Sequence, residues 1–190
     1  MQIFSSIQDD GLVRALLNGG VGILPTDTIY GIVARAEDMA AVEKMQHVKH
    51  REQKAGTVIA ASVEQLYRLG LPRRPVEVAS RWWPGAVSVR IATSDELDYL
   101  AETGTVAVRI PDSESLQQLL AQTGPLITSS ANRPGEPHAT TLAEAQDAFG
   151  DTVDFYVDGG TIADAIPSTV IQVTEGGHIE VVRQGAVQIT

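Results

Sequence analysis

The sequence predicts an α/β (α+β) fold: one domain with a twisted, largely mixed sheet and flanking helices around a concave cleft. Three observations predict it. Helical and extended signals alternate along the whole chain, the pattern of helices packed on a sheet. A chain of 190 residues is long enough for one domain, residues 1–190, to bury a real core. Polar clusters stand at the ends of strand-like apolar runs, where α/β proteins hold polar ligands.

Local signals give the order of elements. Asp9 and Asp10 can cap a helix carrying Leu12, Val13, Leu16 and Leu17, and Gly19-Gly20 stops it. Val21 to Leu24 reads as a short buried strand. Asp38 to Val48 is a helix with Met39, Val42, Met45 and Val48 at three-residue spacing. Thr57 to Ala61 is a strand, and Ser62 with Gln65 forms a capping-box pattern for a short helix. Pro75 opens a helix that ends near Trp83, before Pro84-Gly85. Val87 to Ile91 is a strand, Asp95 to Glu102 a short helix, Thr105 to Ile110 a strand and Ser115 to Gln122 a helix. Leu126 to Thr128 is a buried strand, and Thr141 with Glu144 caps a helix ending at Phe149-Gly150. Val153 to Val157 and Thr169 to Val173 are strands, and Glu175-Gly176-Gly177 turns the chain into a last one, His178 to Val182. The Pro/Gly-rich stretch Arg133 to Thr140 reads as a loop.

Composition narrows the function. There is no cysteine, which removes disulfides, zinc thiolate sites and a cysteine nucleophile. No basic segment leads into an apolar stretch, and no apolar run is long enough to cross a bilayer. A cytoplasmic protein without membrane association is therefore expected. A net charge of −10 repels a nucleic-acid backbone. Arg68, Arg73, Arg74 and Arg81 read as a solvated face, so direct nucleic-acid binding is expected to be weak or absent.

The polar clusters carry the chemistry. Pro25-Thr26-Asp27-Thr28-Ile29-Tyr30-Gly31 leaves a strand and enters a turn dense in hydroxyls, with one carboxylate. Arg109 interrupts an apolar strand on which Thr105, Ala107 and Arg109 share one face, and Val106, Val108 and Ile110 the other. A guanidinium buried there needs an anion, from either a carboxylate of the protein or a ligand. Lys49, Arg51 and Lys54 gather at the end of the second helix, where cations complement the helix terminus or clamp phosphates. Ser129-Ser130-Ala131-Asn132 follows a buried strand and Pro167-Ser168-Thr169 precedes one. Such residues cap turns as readily as they hold ligands. The chain has no G-x-x-x-x-G-K-[ST] sequence and no G-x-G-x-x-G, so any ATP is held without a P-loop. His47 and His50 lie three apart with no carboxylate pattern to complete a metal site.

Taken together, PTDTIYG (25–31), KHR (49–51), WPGAVSV (83–89), TVAVRIPD (105–112), SSAN (129–132) and PSTV (167–170) resemble the YrdC-like family, the threonylcarbamoyl-AMP synthases. They stand in the family's order and span nearly the whole chain. The resemblance implies a YrdC-like fold and a nucleotidyltransferase. It would join L-threonine, bicarbonate and ATP into threonylcarbamoyl-AMP and pyrophosphate, with Mg2+ on the phosphates. It implies that Thr28, Arg109 and Ser168 hold threonine, with Arg109 on its carboxylate. Lys49, Arg51, Thr105, Ser129, Ser130, Asn132 and Arg183 would contact the nucleotide, and Lys49 and Arg51 would be the catalytic pair. The product would pass to a partner transferase that modifies adenosine in tRNA.

The chain departs from the family's pattern in places. Glu52 replaces a proline, Ala55 a polar residue, and Ala60 a histidine, while Ser113 and Glu114 follow the Arg-x-Pro segment where another histidine is often seen. Lys54 stands one position before Ala55 and is the candidate substitute. A YrdC-like paralogue with another nucleotide-dependent or hydrolytic activity, and an RNA-binding module, are the alternative classes.

Overall fold

The computed structural model describes residues 1–49, 56–163, 165–173 and 178–189. Among these, ten strands form one sheet: β1 (Gln2–Phe4), β2 (Gly22–Pro25), β3 (Tyr30–Arg35), β4 (Thr57–Ile59), β5 (Val87–Ala92), β6 (Thr105–Arg109), β7 (Leu126–Ser130), β8 (Phe155–Val157), β9 (Thr169–Val173) and β10 (Ile179–Arg183). Their order is β1-β8-β2-β3-β7-β4-β6-β5-β9-β10. The pairings β1/β8, β2/β8, β4/β6 and β5/β9 are parallel, and the other five are antiparallel, so the sheet is mixed. Six α-helices flank it: α1 (Asp10–Leu17), α2 (Met39–Val48), α3 (Val63–Arg68), α4 (Arg73–Ala79), α5 (Glu114–Thr123) and α6 (Leu142–Phe149).

The two-residue period of the strands divides the core in two. One sheet face carries Ile23, Ile32, Val58, Val89, Val106, Val108, Ile127 and Ile171, packed with apolar residues of α2, α3, α4 and α6. The other face carries Leu24, Val33, Ile59, Leu126, Phe155 and Val157, packed with Leu12 and Leu16 of α1 and Leu116, Leu119 and Leu120 of α5. That second cluster stops partway along the strands. On β7, Leu126 lies in it, whereas Thr128 and Ser130 on the same face line a cleft. The cleft is the part of the second face that α1 and α5 leave uncovered.

Caps explain the helix starts. Asp9 accepts from the Gly11 N–H at 2.6 Å, Asp38 from Ala41 at 3.1 Å and Ser113 from Leu116 at 3.4 Å. The expected capping box at Ser62 does not form. Gln65 turns inward instead, accepting from the Ala61 N–H at 2.8 Å and donating to the Leu120 carbonyl at 2.7 Å, so it ties α3 to α5. β1 and β3 were not foreseen. β3 has only Arg35 short of full burial and shows no polar alternation, and β1 is three residues long. The expected turn at 175–177 lies outside the described residues.

β2 and β8 approach closely at Gly22, opposite Phe155. A Cβ at Gly22 would collide with the Phe155 ring and carbonyl oxygen. Gly22→Ala is expected to cost about 1–3 kcal/mol, because that backbone belongs to a ladder and cannot yield. An unchanged denaturation midpoint would show that the two strands can part.

Candidate active site

The cleft encloses about 350 Å³. Its floor is a row of residues facing the same side across four paired strands: Thr128 on β7, Thr57 on β4, Ala107 on β6 and Arg90 on β5. Thr105, Ala107 and Arg109 all line it, and Val106 and Val108 are in the core, as the alternation along that strand predicted. The β2–β3 turn, the residues after β7 and the segment before β9 supply the walls.

The β2–β3 turn is shaped by Thr26. Its hydroxyl donates to the Ile29 carbonyl at 2.7 Å and accepts from the Thr28 and Ile29 N–H groups at 3.2 Å each. This leaves Thr28 at the cleft and Asp27 directed toward β6. Arg109 is 2% exposed. Its Nη1 donates to Asp27 Oδ1 at 2.6 Å and Oδ2 at 2.5 Å, and Asp27 Oδ2 also accepts from the Asp112 N–H at 3.1 Å. Of the two partners that sequence left open for Arg109, the protein supplies the carboxylate. It holds the guanidinium through Nη1, and Nε is buried with no hydrogen-bond partner. A buried donor without an acceptor is costly, so Arg109 is not fully satisfied by Asp27.

Ser168 stands beside this pair. Its hydroxyl meets that of the fully buried Ser88 at 2.9 Å. Arg183 Nη2 donates to the Ser168 carbonyl at 2.8 Å. Arg183 reaches the cleft because β10 carries a register shift between Val181 and Arg183. The shift puts Arg183 opposite Val170, which lines the cleft. In unbroken register Val182 would stand there and Arg183 would face away. Burial, and then the positive charge of Arg109, push the Arg183 pKa below its ordinary value.

The SSAN turn forms the opposite wall. Ser130 Oγ donates to Asn132 Oδ1 at 2.7 Å, and Asn132 Nδ2 to the Glu136 carbonyl at 2.7 Å. Lys49 is placed differently from an exposed cation at a helix end. It is 2% exposed, and Nζ donates to Ser130 O at 2.8 Å, Asn132 O at 2.6 Å and Asn132 Oδ1 at 2.9 Å. It does not line the cleft, whereas Ser129, Ser130 and Asn132 do. Its ammonium organises the turn that faces the cleft.

Of the residues singled out from sequence, the cleft gathers Thr28, Thr105, Arg109, Ser129, Ser130, Asn132, Ser168 and Arg183. Arg51, with His50, Glu52, Lys54 and Ala55, lies outside the described residues. Ala60 is buried in the core, and Ser113 caps α5. Sequence reading missed Ser88 and Arg90, although the alternation Val87-Ser88-Val89-Arg90-Ile91 carries the same signal that exposed Arg109. It also gave no firm role to Asp27. Among the described residues no three His, Cys, Asp or Glu side chains gather as a metal site, and Asp27 is engaged by Arg109. These side chains therefore do not form a magnesium cage.

The Sua5/YciO/YrdC family model, described as "Telomere recombination", matches residues 14–185. The chain belongs to the Sua5/YciO/YrdC family. It is similar to a putative threonylcarbamoyl-AMP synthase of Mycobacterium leprae, 33% identical over 183 residues covering 93% of this chain and 82% of that protein. It is also similar to the threonylcarbamoyl-AMP synthase of Pyrococcus abyssi, 32% identical over 87% of this chain and 49% of that one. The crystal structure of P. abyssi Sua5 complexed with L-threonine superposes with a TM-score of 0.83 at 27% identity, covering 97% of this chain and 57% of that one. The chain thus spans little more than half of that Sua5 chain. Escherichia coli YciO, at 23% identity and a TM-score of 0.82, shares the fold of this Sua5/YciO/YrdC protein. Both likenesses accord with the YrdC-like α/β fold predicted from sequence.

Proposed function

We propose that this protein is an L-threonylcarbamoyladenylate synthase, converting L-threonine, bicarbonate and ATP to threonylcarbamoyl-AMP and pyrophosphate. One observation carries the reading. A single cleft brings Arg109, Thr28 and Ser168 together with Thr105, Ser129, Ser130, Asn132 and Arg183. Membership of a family with a threonine-bound relative of the same fold supports it.

In this mechanism the threonine carboxylate lies against Arg109, whose Nε lacks an acceptor, and Thr28 and Ser168 flank the rest of the amino acid. The nucleotide lies along Thr105, Ser129, Ser130 and Asn132, with Arg183 toward its phosphates, and the family resemblance assigns Arg51 to the phosphates as well. Lys49 acts through the SSAN turn. The threonine amine attacks the carbon of carbon dioxide, which bicarbonate yields, and loses a proton to give the carbamate. A carbamate oxygen then attacks the α-phosphorus. The bond from that phosphorus to the bridging oxygen breaks, and pyrophosphate leaves with the electron pair. Such chemistry needs positioning and charge stabilisation more than proton transfer, and the cleft is built of hydroxyls, amides and guanidiniums. Magnesium belongs to the proposal as a companion of the phosphates.

The product then goes to a downstream threonylcarbamoyl transferase acting on tRNA. The net charge of −10 keeps direct tRNA association weak and salt-sensitive. No described helix is long and apolar enough to cross a membrane, and the cytoplasm is the proposed location.

The test is pyrophosphate release from ATP by the purified protein. Release should require L-threonine and bicarbonate together. Release that ignores either one would overturn the synthase reading in favour of a paralogue activity.

A further inference from the structure

Arg90 has no role in the mechanism above, yet it occupies the middle of the cleft floor. Val87, Val89 and Ile91 of β5 lie in the core, so Ser88 and Arg90 share the opposite face. Arg90 stands opposite Ala107 of β6 and Gln172 of β9. The β5/β6 ladder also pairs Val89 with Val108 and Ala92 with Thr105. The same-face rows on either side of Arg90 are therefore Ser88 with Arg109, and Ala92 with Thr105. Each row is roughly 7 Å from the next, two residues along a strand.

Arg90 lines the cleft and is half-buried. It makes no hydrogen bond or ion pair among the described residues. Glu102 lines the same cleft without forming an ion pair with it. Asp27, the carboxylate that enters from the β2–β3 turn, is paired with Arg109. Three guanidiniums, Arg90, Arg109 and Arg183, thus face one concave space, and one of them has a carboxylate partner. The small side chain of Ala107 leaves the floor open beside Arg90. An unpaired guanidinium next to two like charges, in a cleft that limits hydration, is suited to an anion brought by the ligand.

We propose that Arg90 binds the α-phosphoryl group of the nucleotide, at the seam between the amino-acid end and the base end of the cleft. The inference rests on the synthase reading. With threonine at the Arg109 row and the nucleoside toward the Thr105 row, the intervening row faces the group that joins them. Arg90 there contacts non-bridging phosphoryl oxygens and offsets the charge that gathers where two anionic substrates meet.

The test is equilibrium binding of adenosine, AMP and ATP to the full chain, without threonine, for the native protein and the Arg90→Leu, Arg90→Gln and Arg90→Lys variants. Arg90→Leu and Arg90→Gln should weaken AMP and ATP at least tenfold, as for loss of a charge-assisted hydrogen bond. Adenosine should change less than twofold, and Arg90→Lys should recover part of the AMP affinity. Two neutral variants keep the test open if one folds poorly, and thermal melts identify which do. Equal AMP binding by the native protein and a folded neutral variant would overturn the role of Arg90 and leave the synthase reading standing. Equal losses for adenosine and AMP would place Arg90 against the base and overturn the phosphate assignment. Native protein that binds neither AMP nor ATP would overturn the synthase reading, and this inference with it.

Discussion

Arg109→Ala is expected to abolish threonine-dependent pyrophosphate release and also to lower stability by about 3–5 kcal/mol. Both effects follow from the ion pair. The Arg109 and Asp27 side chains are 3% and 6% exposed, so removing the guanidinium strands a buried carboxylate. Asp27 keeps the Asp112 N–H, and one neutral donor does not replace a cation. The two consequences can be separated. In the double variant Asp27→Asn with Arg109→Leu, no buried charge is left unpaired, so much of the stability should return. Threonine binding should not return, because the anion-binding group is still missing. Calorimetric titration with threonine, alongside thermal melts, checks both parts. Threonine affinity near the native value in a folded Arg109→Ala protein would sink the assignment.

Lys49→Met is the second large effect. The ammonium donates to three oxygens of the SSAN turn, and it sits 5.7 Å from the centre of the Phe149 ring. Methionine fills similar space but supplies no donor. A loss on the order of 3 kcal/mol is expected, since each buried acceptor deprived of its donor costs about 1–3 kcal/mol. The turn should then relax, moving Ser130 and Asn132 in the cleft wall. The kinetic expectation is a KM for ATP raised at least tenfold, with the KM for threonine changed much less. Lys49→Arg should not rescue the variant, because a planar fork does not reproduce the converging geometry of an ammonium. If Lys49→Met melts like the native protein, the ammonium does not hold the turn.

These two residues mark what was legible in the sequence. Arg109 was identifiable as a residue in need of an anionic partner because a strand alternates with a period of two, and a cation on one face of an apolar strand is a local anomaly. The same rule would have found Arg90 and Ser88. Lys49 was legible as a cation at a helix end, and through the resemblance as a nucleotide contact, but not as a buried side chain. Its burial depends on the SSAN turn folding over it, and Ser130 and Asn132 lie 81 and 83 residues further along the chain. β3 was missed because its first residues, Tyr30 and Gly31, read as the end of the 25–31 turn, which leaves only Ile32 to Ala34 as an apolar run. The Ser62 capping box was expected on spacing, and it failed because Gln65 Oε1 accepts from the Ala61 N–H while its Nε2 donates to the Leu120 carbonyl, 55 residues away.

The sequence by itself determined the α/β alternation, the helix starts at Asp9, Asp38 and Thr141, and the division of β6 into an apolar face and a face carrying Arg109. Each of these depends on residues within a turn or two of one another, where cap hydrogen bonds and side-chain period act locally. The ordered motifs also carried the family. The tertiary structure alone decided that Asp27 is the partner of Arg109, 82 residues apart. It alone decided that α1 and α5 cover only part of the second sheet face, and that a register shift in β10 turns Arg183 into the cleft. The reason is physical: burial, charge pairing and register depend on which strands become neighbours, and the order β7-β4-β6-β5-β9-β10 joins segments far apart in the chain.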